Sequence, residues 1–240
     1  MVGERRERIV AQLLRGAPEL ATKRLCEVCV ELTGMSGAGI MLMDGDVPRG
    51  SVCTTDNVSS TIEELQYALG EGPCVDAHTY GRPVLEPDLA EPITPRWPAF
   101  TGPALDLGVR AIFGFPLHVG AVRLGALNLY CDRPGSLTAE QHADSLVAAD
   151  VATHAVLALQ ANAAPGQLAS ELEASADFRY VVHQASGMVS VQLDVSVGQA
   201  LIRLRAYAFG NERRLADVAR DVVAGTLRFD TRSGEQDAAP

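Results

Sequence analysis

Five cysteines, five histidines and a group of arginines near the C-terminus are the side chains of this 240-residue chain best suited to chemistry. Cys26 and Cys29 have the C-x-x-C spacing of a zinc or dithiol site, but no second pair or nearby histidine completes a tetrahedral set. They share one side of a helical pattern with Leu25, Val28 and Leu32, so they are expected to pack as buried thiols. An odd number of cysteines in a chain expected in the cytoplasm predicts no disulfide framework. Cys74 follows Gly72 and Pro73 at a helix start, where the backbone dipole can favour a reactive thiolate. His78 and His118 are of the type that ligates haem or metals, yet neither has a partner at metal spacing, and both read as structural. Asp44 and Asp46 flank a glycine in a turn and are expected to shape it rather than hold magnesium. The stretch Gly70-Glu71-Gly72-Pro73 lacks the lysine of a phosphate loop, and its acid would repel phosphate. There is no G-x-S-x-G elbow, H-E-x-x-H or paired-carboxylate motif, so no catalytic residue and no metal site is assigned and the chain is not expected to be an enzyme.

The arginines are unevenly placed. The net charge is −10, which argues against coating nucleic acid by bulk electrostatics. Residues 1–175 hold 12 basic and 22 acidic side chains, whereas residues 176–230 hold 7 and 6. All seven basic residues of the second region are arginines, the better side chain for phosphate forks and base stacking. Hydrophobic residues make up 47% and charged residues 21%, an ordinary globular mixture with enough apolar material for a core. No apolar run approaches the length of a membrane span, and the N-terminus lacks the pattern of a secretory signal, so a cytoplasmic protein without membrane association is expected.

The elements that must position these residues follow from periodicity and caps. Helices are predicted over 4–15 and from Pro18 to about residue 32, ending at Gly34. Residues 38–43 (AGIMLM) read as a buried strand, with a hairpin partner over 51–55. Ser60 and Glu63 have capping-box spacing for a helix that stops at Gly70, and a further short helix follows Pro73. A short strand lies between Pro83 and Pro87, and a helix begins around Pro98 and is closed by Gly108. Strands cover 111–119 and 123–130, the second half-buried, with Leu127 and Leu129 inward and Asn128 and Tyr130 outward. Thr138 and Gln141 cap a long helix to about residue 160. This is an α+β domain, an antiparallel sheet flanked by helices. Pro165 and Gly166 mark a boundary. Beyond it, residues 178–223 read as three short amphipathic helices around one small core, the second capped by Ser196 and Gln199. In the first of them Gly187 suggests close approach of another helix.

The segments LGEGPCVDAHTYGRPVLEPDLA, RWPAF, PLHVG and RLGALNLYCDRPGSLT resemble those of GAF domains. The resemblance implies a ligand-sized cavity on one face of the sheet and dimerisation through flanking helices. Met41, Met43, Cys74, His78, Trp97, Phe100 and Phe113 are the candidates to line that cavity, with core packing as their other reading. No motif specifies a cofactor; an unidentified small-molecule signal is what such a cavity implies. The C-terminal unit resembles the ANTAR domain, the RNA-binding module of transcription antiterminators. The resembling residues are QASGMV from Gln184, Ser196-x-x-Gln199-Ala200, Leu204-Arg205, Ala208, Asn211 and LADVA from Leu215. It departs from the family at Ser186, where lysine is common. By resemblance, Arg179, Gln184, Ser186, Gly187, Arg203, Arg205, Asn211 and Arg213 are candidates to contact hairpins in leader RNA. Asp217 and Asp221 on the last helix suit a DNA groove poorly.

The expected organisation is an N-terminal helix (1–19), a GAF-like sensor (20–162), a linker or connecting helix (163–176), an all-α, three-helix ANTAR-like domain (177–230) and a disordered tail (231–240). The expected function is signal-controlled RNA binding by a homodimer, with two modules gaining affinity through effective concentration. The other reading is a ligand-sensing or dimerising module whose last domain docks a protein.

Overall fold

The computed structural model describes residues 2–13, 21–44, 47–92, 94–162, 177–211 and 213–229. The chain forms two compact units, residues 1–169 and 170–240. The linker at 163–176, the tail at 231–240, Pro18, and the turn around Gly45 with Asp46 lie outside the described residues.

Helices α1 (Val2–Leu13) and α2 (Ala21–Thr33) precede strands β1 (Gly37–Asp44) and β2 (Val47–Thr54). Then come α3 (Asn57–Leu69), α4 (Pro73–Tyr80), β3 (Val84–Glu86), α5 (Pro98–Asp106), β4 (Ala111–Val119), β5 (Val122–Cys131) and α6 (Ala139–Asn162). The five strands form one antiparallel sheet in the order β2-β1-β5-β4-β3. Period-two alternation assigns the faces. Gly39, Asn128 and Gly114 lie side by side across β1, β5 and β4 on one face; Ile40, Leu127 and Phe115 do so on the other. Helices α3 and α4 cover the first face, while α6 covers the second, where Phe115 meets His142 at 5.8 Å. Both faces are therefore buried. Residues 125–130 are all buried, so β5 is not the half-buried strand its alternation predicts, and Asn128 and Tyr130 point into a second packed layer. Tyr67, Phe100, Phe113 and Phe115 are fully buried, each stabilising the fold by about 1.5–3 kcal/mol.

Local caps hold where expected, with one exception. Thr138 Oγ1 accepts from the Gln141 amide at 3.1 Å, and Gln141 Oε1 accepts from the Thr138 amide at 3.0 Å. At α3 the predicted Ser60/Glu63 box is replaced by one at Asp56 and Ser59. Asp56 Oδ1 accepts from the Ser59 amide at 2.7 Å, and Ser59 Oγ accepts from the Asp56 amide at 3.0 Å. An aspartate is at least as good a helix cap as a serine, and it begins the helix early enough to turn Glu63 inward. Outside the sheet, Asp144 of α6 holds both Arg5 and Arg8 of α1, and Arg6 pairs with Asp150 at 3.0 Å.

The expectation of free thiols fails at one pair. Cys26 of α2 and Cys53 of β2 form a disulfide across a sequence separation of 27, their Cα atoms 6.0 Å apart. The helix face that Cys26 was expected to share as a packed thiol rests on the edge strand, which brings Cys53 within bonding reach.

In the C-terminal unit, α7 (Asp177–Leu193), α8 (Val197–Gly210) and α9 (Leu215–Val223) bury Val182, Ala185, Val189, Leu201, Leu204 and Val218 against one another. Ser196 and Gln199 form the predicted capping box of α8. Phe229 returns across the unit: its amide donates to Gln192 Oε1 at 2.9 Å, and its ring meets Tyr207 at 5.3 Å. Among the described residues, no helix is long and apolar enough to cross a membrane.

A cross-link over this separation restricts the unfolded chain by about 3 kcal/mol. Thermal unfolding of the full chain with dithiothreitol, or as Cys53→Ser, is expected to fall by about 6–12 °C.

Candidate functional site

The glycines decide what can sit on the α3–α4 face of the sheet. A Cβ on Gly39 would lie 2.6 Å from Glu63 Oε1, and one on Gly114 would lie 2.3 Å from the Pro73 carbonyl oxygen. The start of α4 and the Glu63 side chain thus occupy the space directly above the two glycines that flank Asn128. Gln66 joins them, accepting from the Cys74 amide through Oε1 at 2.8 Å. Gly72 adopts φ 127°, and a Cβ there would strike the Gln66 side chain, so this turn requires glycine. The result is a buried polar cluster: Glu63, Gln66 and Asn128 are at most 1% exposed. Gln66 Nε2 and Asn128 Oδ1 have no hydrogen-bond partner among the described residues, an arrangement that costs about 1–3 kcal/mol per group unless a ligand or water supplies the bond. Sequence reading missed all three. The available signal was Asn128 inside the apolar run LGALNLY, a polar residue with no reason to be there unless it is paired or functional.

The predicted ligand residues divide. Met41 shares a sheet face with Asn128, and Cys74 and His78 lie buried on α4. Trp97 and Phe100 are buried at the start of α5, edge to face at 6.1 Å. The Trp97 indole donates to Asp76 Oδ2 at 3.0 Å, and the Arg96 guanidinium stacks on its ring at 4.6 Å. Met43 is buried at the end of β1. Phe113 does not join them: it pairs with Leu129 and faces the α6 side. There it lines two cavities, of about 150 Å³ beside Leu85, Thr138 and His142, and of about 270 Å³ beside Met35, Arg133 and Gln141. None of the other six candidates lines either one.

Cys74 is not the activated thiol its position suggests. Complete burial, with the Glu63 carboxylate 4.0 Å away, pushes its pKa well up, against a smaller opposing effect of Gln66. Desolvation outweighs the helix start. The His78 carbonyl accepts from Arg123 at 3.2 Å. Among the described residues no three His, Cys, Asp or Glu side chains gather as a metal would need.

The candidate RNA residues also divide. Gln184 and Arg203 are exposed and Arg205 is half-buried. Asn211 donates to the Tyr207 carbonyl at 2.8 Å, finishing α8, and Arg213 pairs with Asp221 at 2.6 Å. The Arg179 side chain lies outside the described residues. Ser186 is buried, 1% exposed, and its hydroxyl donates to the Val182 carbonyl at 2.8 Å; it faces the helical core and is not a surface contact. Among the described residues no helix approaches Gly187, since a Cβ there would meet nothing within 4 Å. Asp217 and Asp221 each pair with an arginine, Arg220 and Arg213. Besides Arg203, α8 exposes Ile202 and Phe209, the latter by 68%.

Residues 19–166 match the family model of the GAF domain. The match covers more than half of the chain. The chain belongs to the GAF family. Its structure is similar to the GAF domain of a phosphoenolpyruvate-protein phosphotransferase from Coxiella burnetii, with TM-score 0.51 and 16% identity, covering 67% of this chain and 95% of that one. It is also similar to a domain of a two-component sensor histidine kinase protein from Sinorhizobium meliloti 1021, with TM-score 0.48 and 16% identity over 61% and 94%. Free methionine-R-sulfoxide reductase from Neisseria meningitidis matches with TM-score 0.46 and 14% identity over 68% and 89%. No curated protein matches the chain. The family assignment makes the first unit a GAF sensor domain, and at these identities the structural likeness speaks for fold alone.

Burial orders the free thiols. Cys29, its pKa pushed up to about 12 by burial, and Cys74 are expected to resist iodoacetamide at pH 8, while half-exposed Cys131 reacts first. Peptide mass spectrometry of briefly alkylated native protein reads the order directly.

Proposed function

We propose that this protein is a non-enzymatic, signal-responsive RNA-binding regulator, a transcription antiterminator in which the GAF sensor controls a C-terminal ANTAR-like unit. The observation that carries this reading is the separation of the C-terminal pattern in three dimensions. Ala185, Val189, Ala200, Leu204, Leu215 and Val218 form the core, while Gln184, Arg203 and Phe209 remain outside. Exposed arginines and an exposed aromatic ring on one small unit suit splayed bases of an RNA loop, which stack on such groups, whereas duplex RNA hides its bases. With Arg213 and Arg220 engaged by aspartates, Arg203, Arg214 and Arg228 are the exposed arginines without a partner among the described residues. So small a charged surface favours two units acting together, hence a homodimer.

On the sensor side, the unsatisfied amides of Gln66 and Asn128 support a small polar ligand. To reach them it must part α3 or α4 from the sheet, which couples occupancy to helix position.

Exposed Tyr180, Val191, Ile202 and Phe209 favour a second reading, in which the C-terminal unit docks a protein. Salt separates the two. Binding to a two-hairpin leader RNA is expected to weaken steeply with salt. Arg203→Ala is expected to lower the salt slope by about 1 while leaving helicity unchanged. Absent or salt-independent RNA binding favours the protein partner.

A further inference from the structure

Two cysteines are joined where α2 crosses the edge of the sheet, and a third lies further along α2. Cys26 and Cys29 lie one helical turn apart on the buried side of α2, and Cys53 lies on β2. The bond between Cys26 and Cys53 leaves Cys29, Cys74 and Cys131 as free thiols. One bond among five cysteines is not the framework of a small domain that lacks a core. This domain has an apolar core of its own, running through both faces of the sheet.

The bond sits where the sheet is least regular. Cys53 pairs with Ile40, and the β1–β2 register shifts between Ile40 and Met41, and again between Leu42 and Met43. Bulged edge strands have interrupted ladders and open at lower cost than central strands. The two sulfur-bearing residues also differ in access, since Cys26 is fully buried and Cys53 is 7% exposed. An attacking reagent therefore meets Cys53 first.

We propose that Cys26 and Cys53 are a reversible thiol pair, oxidised by a small hydroperoxide and reduced by a dithiol, that fastens α2 to the edge strand and releases it. In the oxidising direction the Cys53 thiolate attacks one peroxide oxygen. The O–O bond breaks, water or alcohol leaves, and Cys53 becomes a sulfenic acid. The Cys26 thiol then attacks that sulfur, the S–S bond forms, and the displaced hydroxyl leaves with the thiol proton as water, so the two peroxide oxygens end in the water or alcohol of the first step and the water of the second. Two electrons pass from the two thiols to one hydroperoxide. In the reverse direction a dithiol attacks Cys53, Cys26 leaves as its thiol, and the reductant closes its own disulfide. Narrow access favours a small peroxide over a bulky disulfide as oxidant. Cys29 is not the partner of Cys53, which the structure bonds to Cys26, and burial pushes the Cys29 thiol pKa up to about 12. Release reaches beyond α2, which packs on β1 and β2 and also on α1 and α6.

The test uses the full chain. Native protein is reduced with dithiothreitol, freed of reductant, treated with one equivalent of hydrogen peroxide, and blocked with N-ethylmaleimide for peptide mass spectrometry. Hydrogen exchange is followed in both redox forms. The expected results are a reformed Cys26–Cys53 cross-link, unmodified Cys29 and Cys74, and exchange in α2 faster by about tenfold in the reduced form, with β5 unchanged. In Cys26→Ser, dimedone is expected to trap the sulfenic acid on Cys53. The proposal is overturned if the bond resists dithiothreitol in the folded protein, if peroxide fails to re-form it or oxidises buried Cys29 or Cys74 first, or if α2 exchanges alike in both forms. The wild-type measurements decide the matter even if the serine variant fails to fold.

Discussion

Two bare Cα atoms at the centre of the sheet set the arrangement of the sensor unit. Gly39 and Gly114 flank Asn128, and the absence of a Cβ at each lets α3 and α4 lie closer to the strands than side chains would allow. That closeness buries Glu63, Gln66 and the Cys74 thiol, and desolvation then holds the thiol protonated. It also makes the polar cluster part of the packing between helix and strand. In the proposed sensing, a ligand that satisfies those amides acts on the helices themselves.

The opposite face is built for connection. Here α6 covers Phe115, and α1 is held to α6 by arginines on Asp144 and Asp150. Asp144 is nearly buried and serves two arginines, so this contact is stronger than an ordinary surface pair. The α2 helix is tied to the other edge by Cys26 and Cys53. The acidic sensor and the nearly neutral helical unit also divide the electrostatics.

What was legible in the sequence was local. Thr138 with Gln141 and Ser196 with Gln199 announce their helices because a cap needs only three residues of spacing. Ser60 and Glu63 have the same spacing and mislead, because Asp56 and Ser59 begin the helix four residues earlier. The three-helix core was legible in its apolar periodicity. The same periodicity places Ser186 inside, where its hydroxyl bonds to the backbone of its own helix, although the family pattern had suggested a surface contact. What escaped was non-local. Phe113 is among the candidates for the cavity that the resemblance implies, but strand parity puts it on the other face from Met41 and Asn128, where it lines two cavities of its own. The Cys26–Cys53 bond depends on how α2 crosses β2, which no spacing within either element encodes.

If Gly39 and Gly114 govern the sensor, adding one methyl group at the second should disturb it measurably. The direct measurement is equilibrium unfolding of Gly114→Ala, where the new Cβ meets the backbone of α4 rather than a pliable side chain. A loss of about 1–3 kcal/mol from overpacking is expected, together with faster alkylation of Cys74 as α4 moves off the sheet. Unchanged stability with Cys74 still protected would contradict it.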